Sequence, residues 1–247
     1  MKKILGIVRL LGIAGIISVY LIPIIIGVLF FKKDLMWTVR QRQKIGRALI
    51  HWLRIKIHMS GVPQDGNYLF IGNHRSYIDP VVAAYFVAFM PVAKAEVSSW
   101  PLIGFGAKIT GIVYVKREEK NSRADTRTAV REALKKGYPV LIYPEGTTTD
   151  EHKTRPFRVG TFQIAAEENV PVVPITIEYG DKTATWIGKD TFIPHFIRCF
   201  SHWQTDVFIH FGEPIFEKEG ESLMVKTQEV IDNQLIIFKQ KKESIAL

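Results

Sequence analysis

Residues 10–31 run without one charged side chain, bracketed by Arg9 and by Lys32-Lys33. About 20 apolar residues cross a hydrocarbon core about 30 Å thick, so this stretch predicts a membrane helix. It is longer than the apolar part of a signal peptide and lacks a small-residue cleavage site, so it is expected to be retained. Pro23, Gly12, Gly15 and Gly27 are tolerated in membrane helices and also permit a kinked or re-entrant path. A buried core helix is the competing reading, but soluble helices seldom run this long without a charge. In residues 35–58 the pattern changes. Leu35, Trp37, Val39, Leu49 and Trp52 alternate with Arg40, Arg42, Lys44, Arg47, Arg54 and Lys56. Basic and aromatic positions at helical spacing predict a helix lying on an anionic bilayer surface. A solvated face packed on the domain is the alternative, and it suits residues 40–47.

After Gly61-Val62-Pro63 and the turn at 64–67, short apolar runs alternate with amphipathic segments. Strands are expected at 68–71, 92–95, 112–115, 140–143, 172–177 and 207–211. Helices are expected at 80–90, 122–136, 158–169 and 222–239, with Ser122 as N-cap and Gly137 as stop for the second. Near-continuous apolar strands between helices predict an α/β domain. Its single central sheet, mostly parallel or mixed, is covered by helices on both faces. The chain thus divides into a helical membrane-anchoring module, 1–58, and one domain, 59–247, with no internal repeat.

Composition narrows the function. The single cysteine, Cys199, forms no intrachain disulfide, which excludes a disulfide-stapled scaffold. The net charge of +9 sits at the front: residues 1–58 hold eleven basic side chains against Asp34 alone, and the remainder holds 22 basic and 23 acidic. A nucleic-acid-binding domain carries its own basic face, so nucleic acid is not expected as a partner. A lipid bilayer is. The heavier positive flank lies C-terminal to the apolar run, which places the domain on the cytoplasmic face, that of the inner membrane in a bacterium.

The most informative stretch is Gly72-Asn73-His74-Arg75-Ser76-Tyr77-Ile78-Asp79-Pro80. It follows an apolar strand and precedes an apolar helix, at the sheet edge where α/β proteins place their sites. Pro80 suits the first helical position and Asp79 the N-cap, so residues 74–79 form a turn that folds the carboxylate back on His74. A carboxylate on one imidazole nitrogen fixes the tautomer and leaves the other nitrogen as general base. A plain N-cap and an exposed loop histidine are the bland readings. Ser76 as nucleophile is disfavoured, since no G-x-S-x-G elbow surrounds it. A second strand-to-turn passage is Tyr143-Pro144-Glu145-Gly146-Thr147, where Gly146 permits a left-handed backbone or close approach of a ligand. The run ending in Lys116-Arg117, the stretch Arg155-Pro156-Phe157-Arg158-Val159-Gly160 and Lys94 at a strand end supply cations at the same edge. His195, Cys199 and His202 would share a helical face and raise the alternative of a zinc-dependent hydrolase, but no H-E-x-x-H accompanies them. A non-enzymatic membrane-tethered binding module gives no reason for the His74/Asp79 pair.

Together these stretches resemble the 1-acylglycerol-3-phosphate acyltransferase family, the glycerolipid acyltransferases. Asn73-His74-x4-Asp79 looks like its catalytic signature and Glu145-Gly146-Thr147 like its second hallmark. Pro156-Phe157-Arg158-x-Gly160 and Val170-Pro171-Val172-Val173-Pro174 resemble two further blocks, in the family's order over residues 60–215. The resemblance implies acyl transfer from acyl-CoA or acyl-acyl carrier protein to the hydroxyl of a lyso-lipid, without metal or organic cofactor. His74 would be the base and Asp79 its orienter. Asn73, Glu145, Gly146, Thr147 and Arg158 would line the substrate site, with Arg117 at the glycerophosphate-binding position and Lys94 as a further cation. The expected acceptor is 1-acylglycerol-3-phosphate. Thr148 departs from the pattern, since the family often has arginine directly after E-G-T. Variants without it resemble the branch that acylates lyso-aminolipids such as lyso-ornithine or lyso-glycine lipid.

Overall fold

The computed structural model describes residues 2–94, 110, 112–115, 120–188 and 190–245. The strands are β1 (Ile55–Gly61), β2 (Leu69–Gly72), β3 (Met90–Lys94), β4 (Val113–Val115), β5 (Val140–Ile142), β6 (Val172–Tyr179) and β7 (Thr205–Phe211). They form one seven-stranded sheet in the order β1-β7-β6-β2-β5-β3-β4. β6 and β7 are antiparallel and the other neighbouring pairs are parallel, so the sheet is mixed. The helices are α1 (Lys2–Phe31), α2 (Leu35–Trp52), α3 (Asp79–Phe86), α4 (Lys120–Lys135), α5 (Gly160–Glu167), α6 (Phe192–Phe200) and α7 (Gly220–Ile245).

Alternate residues of a strand point to opposite faces, and here both faces are covered. Phe70 and Leu141 enter one core with Val82 of α3 and Phe196 of α6. Leu69, Ile71, Val140 and Ile142 enter the other with Leu134 of α4, Phe162 of α5 and Leu235 of α7. Burying such a side chain stabilises by about 1.5–3 kcal/mol, so the wholly buried β2 gives a rigid base to the loop after it.

Several elements differ from expectation for identifiable reasons. The amphipathic helix stops at Trp52, and Arg54 takes a left-handed conformation with φ 54° that turns the chain into β1. β1 pairs with β7 in parallel, from Ile55 beside Thr205 to Gly61 beside Phe211. The alternation Ile55, Lys56, Ile57, His58 is a two-residue period hidden in a helix-like composition. α6 lies outside the four expected helices, though it carries His195 and Cys199 of the helical-face triplet; Pro194 falls in its first turn, where no intrahelical N–H bond is lost. α4 begins two residues before Ser122, which therefore lies inside the helix and is not its N-cap.

α2 starts where Asp34 caps it, the carboxylate accepting from Trp37 N at 2.7 Å. Two of its basic residues bind the body: Arg42 donates to the carbonyls of Phe89 and Thr110, and Arg47 Nε to the carbonyl of Tyr85 at 2.9 Å. The packed-face reading thus holds for these two. α1 is, among the described residues, the helix long and apolar enough to cross a membrane, with mean hydropathy 2.6. One side exposes Ile4, Leu11, Val19, Ile22, Ile26 and Leu29. The other side is held by protein. Arg9 is buried and donates to the carbonyls of Phe200 at 3.0 Å, His202 at 2.5 Å and Trp203 at 2.8 Å. Trp52 donates its indole N–H to Arg9 O at 2.9 Å and lays its ring where any side chain at Gly12 would stand.

Candidate active site

The site lies at the edge of the sheet where β2, β5 and β6 end. Asn73 extends β2 by one residue, its side-chain oxygen accepting from Ile177 N at 2.8 Å and its amide donating to Ile177 O at 2.9 Å. With both ends spent on β6 and no exposure, Asn73 holds the loop rather than facing a substrate. The loop then carries His74 and returns to Asp79.

Asp79 is the first residue of α3 and not its cap; Ile78 holds the cap position without a side-chain bond. The carboxylate turns backward instead. Its Oδ2 accepts from His74 Nδ1 at 2.7 Å, Arg75 N at 2.7 Å and Ser76 N at 2.9 Å. Its Oδ1 accepts from the Tyr179 hydroxyl at 2.7 Å. These donors meet the hydrogen-bonding capacity of a wholly buried carboxylate. Because Asp79 accepts only, His74 Nδ1 carries a proton, and Nε2 remains for a reacting hydroxyl. The imidazole is 16% exposed and stacks on the ring of Tyr143, with centroids 4.3 Å apart and planes 12° apart.

Glu145 closes the other side. Its Oε1 accepts from His74 N at 2.7 Å and its Oε2 from Arg155 N at 2.9 Å, so one side chain pins two loops. Burial pushes its carboxyl upward, and the amides of Arg155 and His74 oppose that shift. Gly146 follows with φ +74°, a backbone that an L side chain rarely adopts. The Arg158 guanidinium lies against it, 3.3 Å from where a β-carbon would be, and Arg158 and Thr147 are both exposed. Thr148 donates its hydroxyl to Trp186 O. Arg75 ties the two turns together, with Nη1 on Thr149 O at 2.8 Å and Nη2 3.2 Å from Glu178.

The structure therefore brings together His74, Asp79, Asn73, Glu145, Gly146, Thr147 and Arg158. Lys94 is the last residue of β3, at the same sheet edge; Arg117 lies outside the described residues. Tyr143 and Tyr179 were not singled out from sequence. Each ends or follows an apolar strand, and a tyrosine there is the signal: its ring belongs to the core and its hydroxyl must reach a partner or remain buried alone. Burial pushes both hydroxyls well above their usual range.

His195, Cys199 and His202 do not converge. His195 is wholly buried, 3.1 Å from Thr185 O through Nε2 and 3.2 Å from the Tyr77 hydroxyl through Nδ1. A carbonyl only accepts, so Nε2 is the protonated nitrogen and Tyr77 donates to Nδ1. Burial pushes the Cys199 thiol up to about 12, and His202 is exposed. Among the described residues no group of three or more His, Cys, Asp or Glu is placed to hold a metal ion.

A family model described as Acyltransferase matches residues 54–178, half of the chain. Relatives include a lyso-ornithine lipid O-acyltransferase of Pseudomonas aeruginosa, 32% identical over 168 residues. That match covers 66% of this chain and 65% of the relative, just under two thirds of its length. A protein of the same description from Brucella abortus is 26% identical over 232 residues, 86% of this chain and 87% of that one. The chloroplastic 1-acyl-sn-glycerol-3-phosphate acyltransferase BAT2 of Brassica napus is 33% identical over 114 residues, 46% of this chain and 33% of the relative. The crystal structure of the 1-acyl-sn-glycerophosphate acyltransferase PlsC from Thermotoga maritima shares the fold. Its TM-score is 0.74 at 23% identity, covering 97% of this chain and 98% of that one. With the family model matching half of its length, the chain belongs to the acyltransferase family.

Proposed function

We propose that the enzyme transfers a fatty acyl group from a thioester, acyl-CoA or acyl-acyl carrier protein, to the free hydroxyl of a lyso-lipid. The observation that carries this reading is the 2.7 Å bond between His74 Nδ1 and an Asp79 carboxylate that four donors fix in place. His74 Nε2 takes the acceptor's hydroxyl proton as that oxygen attacks the thioester carbonyl. The tetrahedral intermediate collapses with loss of the thiolate, which leaves as the thiol once it has received the proton. Base assistance of this kind contributes about 10²–10⁴ in rate. Asp79 stabilises the imidazolium between the two proton transfers. The apolar ridge of α1 is the membrane face, and the basic N-terminal module sets the body on the cytoplasmic side.

The acceptor read first from the family pattern is 1-acylglycerol-3-phosphate, giving phosphatidic acid, with Arg158 and Arg117 as the cations for its phosphate. A second reading, a lyso-aminolipid such as lyso-ornithine lipid, is favoured by Thr148, whose hydroxyl is spent on Trp186 where an arginine is often found. A zwitterionic headgroup needs fewer cations. Detergent-solubilised enzyme supplied with an acyl donor and each acceptor in parallel, with thiol release followed, separates the two. Turnover is expected with a lyso-lipid acceptor and is expected to be lost in His74→Ala. Turnover of the aminolipid with none on lysophosphatidic acid decides for the second reading. Near-normal turnover in His74→Ala sinks the mechanism under both.

A further inference from the structure

Tyr179, the last residue of β6, is wholly buried and sends its hydroxyl to Asp79 Oδ1 at 2.7 Å, opposite the oxygen that holds His74. Its ring belongs to the core that also contains Phe196, Cys199 and Ile177, so the hydroxyl's position is set by packing and not by a mobile loop. Burial and the neighbouring Asp79 charge keep it a phenol, and hence a donor, throughout the range in which an enzyme works. A donor on Oδ1 draws negative charge away from Oδ2. The carboxylate then holds the imidazolium less tightly, and the base is regenerated more readily.

We propose that Tyr179 is a positioning residue for acyl transfer, which fixes the Asp79 carboxylate and limits how tightly it grips the His74 imidazolium. This rests on the general-base reading of His74. The other titratable or charged groups around the pair are Tyr143 after β5, Glu145 in the following turn, Arg75 in the loop with its partner Glu178, and Cys199 on α6. All of them stay in place when the Tyr179 hydroxyl alone is removed, and so does the ring that fills the core.

The test follows thiol release from acyl-CoA by full-length enzyme in detergent, across the acidic and neutral range. Tyr179→Phe is expected to move the acid limb of kcat/KM upward by about half to one pH unit, the size of one hydrogen bond. Plateau kcat is expected to fall about three- to tenfold, with acceptor KM within about twofold. Replacing Tyr179 by 3-fluorotyrosine gives a more acidic phenol and a stronger donor, and the limb should move downward; this arm stands even where Tyr179→Phe does not fold. A limb unmoved in the variants that fold, whatever their loss of stability, assigns Tyr179 to packing alone and overturns the proposal while leaving His74 as base. Retained turnover in His74→Ala, measured alongside, overturns both.

Discussion

Among the described residues two histidine–aspartate pairs stand out, His74–Asp79 and His58–Asp206, each closed at 2.7 Å. The first joins residues five apart in one turn, and the second joins neighbouring strands from positions 148 apart. Asp79 is wholly buried under four donors, whereas Asp206 is 38% exposed and shared with Gln204. His58 lies stacked on Phe208, its ring a surface cover for β7; His74 lies on Tyr143 at the edge where two loops meet. The same distance thus occurs in a buried turn in one place and along an exposed sheet edge in the other. What separates them is desolvation of the carboxylate, which makes its charge count.

Breaking the pairs one at a time sharpens this contrast. Asp79→Asn is expected to lower turnover by about 10²-fold or more, while Asp206→Asn stays within about twofold of wild type, read as thiol release per enzyme. Glu145→Gln comes next. A glutamine offers one acceptor where two amides need one each, so unfolding should become easier by about 1–3 kcal/mol in a denaturant titration, with a fall in turnover as His74 loses its backbone anchor. The smallest effect belongs to Asp206. Burial raises its carboxyl, but hydrogen bonds from His58 and Gln204 outweigh burial and leave it below the usual range. Its contribution is therefore present above the unfolded carboxylate value and lost as pH falls through the folded one. With the pair this exposed, the stability gap between wild type and Asp206→Asn should be about 1 kcal/mol or less near neutrality and should close as pH falls through the lowered range of the folded carboxyl.

The asymmetry between the pairs also explains what the sequence could reveal. His74 and Asp79 are visible because strand, turn and helix signals bracket them within ten residues, so local rules suffice. Tyr179 is 100 residues from Asp79, and no local rule joins them. Glu145 was identified as a site residue, but its role differs from the expected one, since both oxygens meet backbone amides that sequence does not display. The charge of α2 was legible and its direction was not: Arg42 and Arg47 seek carbonyls at the ends of α3 and of the segment after it. β1 was read as helix because its basic and apolar residues continue those of α2, and only pairing with β7 selects the strand. The apolar run of α1 was plain from composition, whereas Arg9, read as a flank, becomes its attachment to the body.

That attachment has a consequence for how the enzyme meets its lipid. Three carbonyls hold Arg9, and the Trp52 ring occupies the space over Gly12, so α1, α2 and the chain after α6 are keyed to one another as one rigid piece. The height of His74 above the apolar ridge of α1 is then a constant of the fold, like the reach of a fixed arm. Under the proposed function, with α1 set in the bilayer, an acceptor would be measured by the depth at which its hydroxyl rides as well as by its headgroup. A lipid whose hydroxyl lay too deep or too shallow would then be passed over before any cation touched it.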